Sequence, residues 1–258
     1  VVLITTKQGK SGKTQIQFNA LGGVSSPSNH REFLNAEQYV ALMRRAGLGR
    51  AKDDFANTTD YATLQEAIDD WSSIVEARLR RYSAGNDDYK TYKVNTNWEN
   101  ETFQNNPLLQ QYDLNLTGGN EKTKFYIGGQ ALDQDGIIVG NSYKRYSGRL
   151  NLTNKVTDFL EVGVNLNFAN SINNRLSNDN AFSSPLQSVA LSPITPFIDP
   201  RSGLVSGTLP GVATNYPVYY NPFIGVDNAF YKATVYRTIG KAFANVDIGK
   251  GLKFSTDF

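Results

Sequence analysis

YDLNLTGGNEKTKFYIGGQALDQDGIIVGNSYKRYSGRLNLTNKVTDFLEVGVNLNF, residues 112–168, holds four long runs in which apolar and polar side chains alternate. Tyr112, Leu114 and Leu116 share one parity, and Asp113, Asn115 and Thr117 the other. Gly148, Leu150 and Leu152 oppose Arg149, Asn151 and Thr153. Leu160, Val162, Val164, Leu166 and Phe168 oppose Glu161, Gly163, Asn165, Asn167 and Ala169. Successive side chains of a strand project to opposite faces, so each run is a ribbon with one apolar face and one face rich in Asn, Arg and Gln. Ribbons joined alternately by short and longer connections are the pattern of a transmembrane β-barrel. The same parity also fits a soluble carbohydrate-binding β-sandwich.

Working outward, alternation recurs at residues 14–24, with Ile16, Phe18 and Ala20 set against Gln15, Gln17 and Asn19, and again at 234–248 and 252–258. Seven strands result, joined through residues 25–107, 119–122, 133–141, 154–158, 171–233 and 249–251. Longer and tight connections alternate along the whole series. Bacterial outer-membrane barrels sort them in this way, with short periplasmic turns and long extracellular loops. A sandwich has no reason to do so, and the sorting favours an all-β, antiparallel transmembrane barrel. A further short β-branched run, residues 1–6, reads as a buried strand.

Composition narrows the chemistry. Across 258 residues, 26 basic side chains face 24 acidic ones, a balance that gives nucleic acid no electrostatic footing. The chain has 0 Cys, which excludes disulfides, thiolate metal sites and cysteine catalysis. Its single histidine, His30, argues against histidine-based catalysis or metal binding. No enzyme activity, cofactor or metal is therefore expected. No apolar run approaches the roughly 20 residues of a spanning helix, but a barrel strand crosses with only about 9–11. The chain opens with VVLITTKQGK, which carries no signal peptide and reads like the interior of a domain.

Alternation stops inside the two long connections. Residues 35–46 predict an amphipathic helix capped by Asn35 with Gln38 three positions on, and with Gly47 as its stop. Leu64, Ile68, Trp71, Val75 and Leu79 predict a second helix over 61–82. The polar and aromatic stretch 87–106 offers Trp98 and Phe103 as anchors. Residues 171–232 are rich in Asn, Ser, Pro and Gly.

Two motifs fail on inspection. Gly9-Lys10-Ser11-Gly12-Lys13-Thr14 suggests a phosphate loop, but that motif needs its first glycine at position 7, which is Lys7, and must open a helix, whereas a strand pattern follows Thr14. Asp133, Asp135 and Gly136 look like the start of a calcium loop without its later ligands; turn chemistry accounts for them better.

The opening VVLITTKQGKSGK resembles the junction between plug and barrel in SusC/RagA-like TonB-dependent outer-membrane receptors. FLNAEQYVALMRRAG, LTGGNEKTKFYIGGQALDQDGII and KRYSGRLNLTNKV are similar to landmark stretches of that family's first barrel strands, and NPFIGVDNAFYKATVYRTIGKAFANVDIGKGLKF fits its later pattern. One departure is Asn97 before Trp98, where the family often has Asp. The resemblance implies a plug end and junction at 1–13 and the N-terminal part of a roughly 22-stranded plugged barrel at 14–258. Long extracellular loops would fall at about 25–107 and 171–233. It further implies import of an oligosaccharide or peptide, driven by TonB through a segment ahead of Val1, with a SusD-like surface lipoprotein over the mouth and outer-membrane lipid around the wall. A receptor or adhesin without transport is the alternative within the same architecture.

Candidate ligand contacts are Tyr216, Tyr219, Tyr220 and Phe223, interleaved with Asn215 and Asn221, together with Trp98. Aromatic faces stack on sugar rings or apolar side chains, while Asn both donates and accepts. Loop packing or contact with the lipoprotein would use the same residues. Arg149, Asn151, Asn165 and Asn167 are expected to face the lumen. Tyr126, Tyr143, Tyr146 and Phe168 are expected in the interfacial aromatic girdles.

Overall fold

The structure is a computed structural model and describes residues 9–83, 87–175, 186–200, 202–206, 221 and 223–258. The strand expected at residues 1–6 lies outside them. Seven strands form one antiparallel sheet in strict chain order: β1 (Gly12–Val24), β2 (Leu108–Gly119), β3 (Thr123–Asp135), β4 (Ser142–Lys155), β5 (Leu160–Arg175), β6 (Tyr231–Gly249) and β7 (Leu252–Asp257). The chain divides into two compact units. One is the sheet, and the other is built from the two long connections, Pro27–Gln104 and Leu176–Phe230.

Turn chemistry fixes the hairpins. Between β2 and β3, the side-chain oxygen of Asn120 accepts from the backbone N–H groups of Lys122 and Thr123 at 2.9 and 2.7 Å. Gly119 takes a φ of 148° at the same turn, a conformation closed to most L-residues. Between β4 and β5, Thr157 Oγ1 accepts from Leu160 N at 3.0 Å. The stem of the first long connection is tied by Ser25 N donating to Pro107 O at 3.0 Å.

Register then decides which residues share a face. Ile127 pairs with Leu116 and Leu150, and Leu150 with Leu166, so the apolar positions join across β2 to β5. The opposite face carries the row Thr117, Tyr126, Asn151, Asn165, Lys241, and beside it Asn115, Gly128, Arg149, Asn167, Ile239. The burial of these faces inverts the soluble pattern: Leu166 and Phe168 are 41% and 43% exposed, while Tyr126 and Asn151 retain only 8% and 5%. A sandwich would bury the apolar face. Here that face is the open one, as in a membrane barrel.

Polar pairs close the apolar band at both ends. Asn154 Nδ2 donates to Thr123 Oγ1 at 2.6 Å, and Lys144 Nζ meets Asp133 Oδ2 at 2.7 Å, both on the apolar parity of β3 and β4. Between them lie the pairs Phe125 with Leu152, Ile127 with Leu150, Gly129 with Gly148, and Ala131 with Tyr146. Ten residue steps separate Thr123 from Asp133. At about 3.4 Å a step and a tilt of about 40° they rise about 26 Å, close to the height of an outer-membrane apolar band.

The helical unit has its own core. Helix α1 (Ala36–Asn57) starts with the expected capping box between Asn35 and Gln38, and α2 (Leu64–Tyr82) starts at the side-chain cap of Thr63. Ala36, Val40, Val75, Leu79, Tyr82, Tyr89 and Ile194 pack together, with Tyr39 and Met43 against them. Gly47 does not stop α1. It sits buried within the helix, where an added Cβ would lie 2.5 Å from Val75 Cγ2, so its missing side chain lets α1 and α2 approach. Two girdle expectations are also corrected. Tyr126 and Tyr143 belong to the polar parity, where their hydroxyls donate to Asn115 Oδ1 at 2.5 Å and Ser171 Oγ at 3.1 Å. Tyr146 and Phe168 do face outward.

Candidate functional site

The polar face of the sheet is hydrogen-bonded across strands. Asp113 accepts from Gln111 Nε2 at 2.8 Å and from Gln130 Nε2 at 2.9 Å. The expected lumen residues Arg149, Asn151, Asn165 and Asn167 all lie on this face, paired as Arg149 with Asn167 and Asn151 with Asn165. Side-chain amides and a guanidinium present both donors and acceptors to water or a polar solute.

In the helical unit, short helix α3 (Trp98–Thr102) begins at Asn97, whose Oδ1 accepts from Glu99 N and Asn100 N at 3.1 Å each. The segment entering it is sewn to residues 192–195. Thr96 N donates to Pro193 O at 2.8 Å, Thr96 Oγ1 to Thr195 O at 2.7 Å, and Trp98 Nε1 to Ser192 O at 3.0 Å. Thr195 Oγ1 continues the chain of bonds to Tyr82 O at 2.9 Å. Trp98 is thereby buried, with its edge toward Phe197 at a centroid distance of 6.1 Å. Phe197 in turn meets Phe223 of α4 (Phe223–Asn228) at 4.9 Å, edge to face. Asn221, also buried, accepts from Phe223 N at 3.1 Å and donates to Phe197 O at 3.4 Å. Of the sequence-derived ligand candidates, the structure thus brings Trp98, Asn221 and Phe223 into one cluster around Phe197, a residue the sequence reading did not single out. Tyr216, Tyr219 and Tyr220 lie outside the described residues.

A cleft of about 310 Å³ opens beside this cluster. Phe33, Leu34, Tyr39, Trp98, Leu191 and Pro193 give it an apolar lining. Asn35, Asn95 and Asn97 add carboxamides. Ala36 N donates to Asn95 Oδ1 at 2.9 Å and Gln38 N to Asn35 Oδ1 at 2.9 Å. An apolar cavity with a few convergent polar groups is the usual form of a ligand site.

One electrostatic cluster stabilises the helical unit. Arg44 Nε donates to Glu76 Oε1 at 2.7 Å, and the buried Tyr89 hydroxyl donates to Glu76 Oε2 at 2.8 Å. The Arg44 guanidinium holds the Glu76 carboxyl below the ordinary carboxylate range. Burial, reinforced by the bond to Glu76, pushes Tyr89 up to about 12. A lowered acid stabilises the fold above the ordinary carboxylate range and loses that contribution as pH falls through its lowered value. A raised phenol contributes below its usual value and loses that contribution as pH rises toward about 12. Because Arg44 and Glu76 are partly exposed, the acid limb amounts to less than about 1 kcal/mol. We expect near-ultraviolet circular dichroism of the full-length protein to show a stability plateau through neutral pH. Glu76→Gln should flatten its acid limb, and an unchanged acid limb in that variant would refute the assignment.

No family model matches the chain. TonB-dependent receptor P3 of Formosa agariphila is 22% identical over 166 residues, which are 64% of this chain and 13% of the relative. TonB-dependent receptor P39 of the same organism is 26% identical over the same shares. The chain therefore spans about an eighth of the length of these relatives. Among solved structures, the RagAB peptide transporter superposes with a TM-score of 0.66 at 21% identity, covering 98% of this chain and 28% of the other. The RagAB peptide importer in its open-open state gives 0.67 at 22%, with the same coverage. The sheet has the fold of an outer-membrane β-barrel wall, and the chain is similar to SusC/RagA-like TonB-dependent receptors over most of its length. Its place is the outer membrane.

Proposed function

We propose that the chain is the plug end and first strands of a TonB-dependent receptor that imports peptides or oligosaccharides together with a SusD-like surface lipoprotein. The observation that carries this reading is the inverted sheet, with its apolar face open and its polar face sheltered, matched to a transporter wall along 98% of the chain. Residues 1–13 form the plug end and junction, and residues 14–258 the beginning of the barrel. Arg149, Asn151, Asn165 and Asn167 line the solvated side of the wall, where a polar cargo exchanges hydrogen bonds as it passes. The two long connections form the extracellular capture surface, with Trp98, Tyr216, Tyr219, Tyr220, Asn221 and Phe223 around the ligand or its lipoprotein lid. Binding there couples to TonB through a plug segment.

The test uses cells producing the full-length receptor. Labelled casein peptides and labelled malto-oligosaccharides are supplied separately, with and without TonB. Uptake of either pool that disappears without TonB, and a lipoprotein that co-purifies with the receptor from outer membranes, are the expected results. Surface binding with no TonB-dependent uptake of either pool would instead identify a non-transporting receptor.

A further inference from the structure

The polar face of the sheet carries Arg145, Arg149 and Arg237 in one triangle. Arg145 and Arg149 lie on β4, about 13 Å apart along the strand. Ser147, midway between them, pairs with Ala169 of β5, and Ala169 pairs with Arg237 of β6. Arg237 therefore stands opposite their midpoint, two strand spacings or about 10 Å away. The small side chains of Ser147 and Ala169 form the floor between them. Among the described residues, none of these guanidiniums has a hydrogen-bond or ion-pair partner, and Arg145 Nε is enclosed without an acceptor. The carboxylates of this face are engaged elsewhere. Asp113 accepts from Gln111 and Gln130, and Glu161 accepts from Asn245 at 3.2 Å. Asp257 meets Lys241 at 2.6 Å, and Asp247 meets Lys253 at 3.9 Å. Arginine stays protonated at any working pH, so three fixed positive charges share one stretch of wall without a counter-charge.

We infer that Arg145, Arg149 and Arg237 form a carboxylate-binding strip on the lumen wall, which selects cargo by negative charge. The inference rests on the import reading and adds a charge class to its cargo. A guanidinium fork meets a carboxylate through two parallel hydrogen bonds, and such charge-assisted bonds are stronger than neutral ones. A neutral cargo gains only the weaker bonds and leaves the like charges of the strip uncompensated. Fixed charges on a lumen wall are an ordinary means by which a pore selects the sign of its solute. Glutamate-rich peptides and uronate oligosaccharides both carry the required group, and uptake of matched pools separates the two sources.

Cells producing the full-length receptor with its lipoprotein are given labelled pools in matched pairs. One pair is glutamate-rich and glutamine-rich peptides, and the other is oligogalacturonates and malto-oligosaccharides. TonB-dependent uptake should favour the acidic member of at least one pair, and that pair names the source of the carboxylate. Arg145→Gln with Arg237→Gln should lower the acidic-to-neutral uptake ratio about tenfold, through loss of charge-assisted hydrogen bonds. Arg145→Lys with Arg237→Lys keeps the charge and should restore part of the ratio. Heat-modifiable mobility reports whether each barrel is folded. Arg237→Gln alone, at an exposed position, carries the test if the double glutamine variant does not fold. An unchanged ratio in the folded glutamine variant overturns the strip while leaving import intact, and so does wild-type uptake that favours the neutral members. Leakage of both members of a pair through that variant without TonB would show that the arginines hold the plug instead, which also overturns the inference. No TonB-dependent uptake of any pool overturns both this inference and the import reading.

Discussion

Leu166→Arg in the full-length receptor will lose about 2–4 kcal/mol of folded stability in a bilayer, whereas Asn167→Arg, one residue further on, will leave insertion essentially unchanged. The two positions differ only in face. Leu166 sits on the apolar parity between Leu150 and Gly240, away from the polar pairs that close the band, so an arginine there must be drawn through hydrocarbon to reach water. Asn167 lies between Arg149 and Ile239 on the polar face, where a guanidinium stays out of hydrocarbon and its mild repulsion from Arg149 is screened by water. Folded fraction in liposomes, followed by heat-modifiable mobility across a urea series, separates the two. Equal loss in both variants would remove the assignment of faces, and with it the membrane wall. Labelling adds a second readout: Asn167→Cys should react with a water-soluble thiol reagent from the lumen, and Leu166→Cys should not.

Trp98→Ala should destabilise the helical unit by about 3–5 kcal/mol, the usual result of removing a large buried aromatic side chain. The tryptophan fills space beside Phe197 and supplies the donor for the Ser192 carbonyl, so its loss empties a core position and leaves an acceptor unmet. Trp98→Phe keeps most of the volume and isolates the second effect, about 1–3 kcal/mol for the stranded carbonyl. Hydrogen exchange of α1 and α2 in the intact receptor reports both, because Thr96 and Thr195 link this segment to the end of α2 at Tyr82. Unchanged protection in Trp98→Ala would mean that the indole serves ligand contact alone.

The strands were legible because each face has a distinct chemistry, and a period of two survives single exceptions. Tyr126 and Tyr143 show where that reading stops. Their aromatic character suggested the interface, yet parity combined with register puts them beside Asn115 and Ser171, and register cannot be counted from one strand alone. Gly47 shows a second limit. Glycine usually marks a helix end, and its role as the flat spot against Val75 depends on a neighbour 28 positions away. The cleft was almost invisible for the same reason. Asn35 and Trp98 carry local signals, a cap and a large aromatic, but Phe33, Asn95, Leu191 and Pro193 meet them only after distant segments are sewn together. Three Asn residues near helix starts were the one available hint.

The hydrogen bond between Ser25 and Pro107 bears on how such a protein can diversify. It pins the two feet of an insertion to adjacent wall strands, so the sheet meets the same boundary whatever lies between them. Closing a chain of that length instead of a three-residue turn raises the entropic cost by only about 3 kcal/mol, since the penalty grows with the logarithm of length. The insertion also carries core residues Val40, Val75 and Leu79, joined by Ile194 of the second long connection, to offset that cost. The long connections can therefore be lengthened, exchanged or rewritten as cassettes, while the alternating strands remain under a separate and stricter selection set by the membrane.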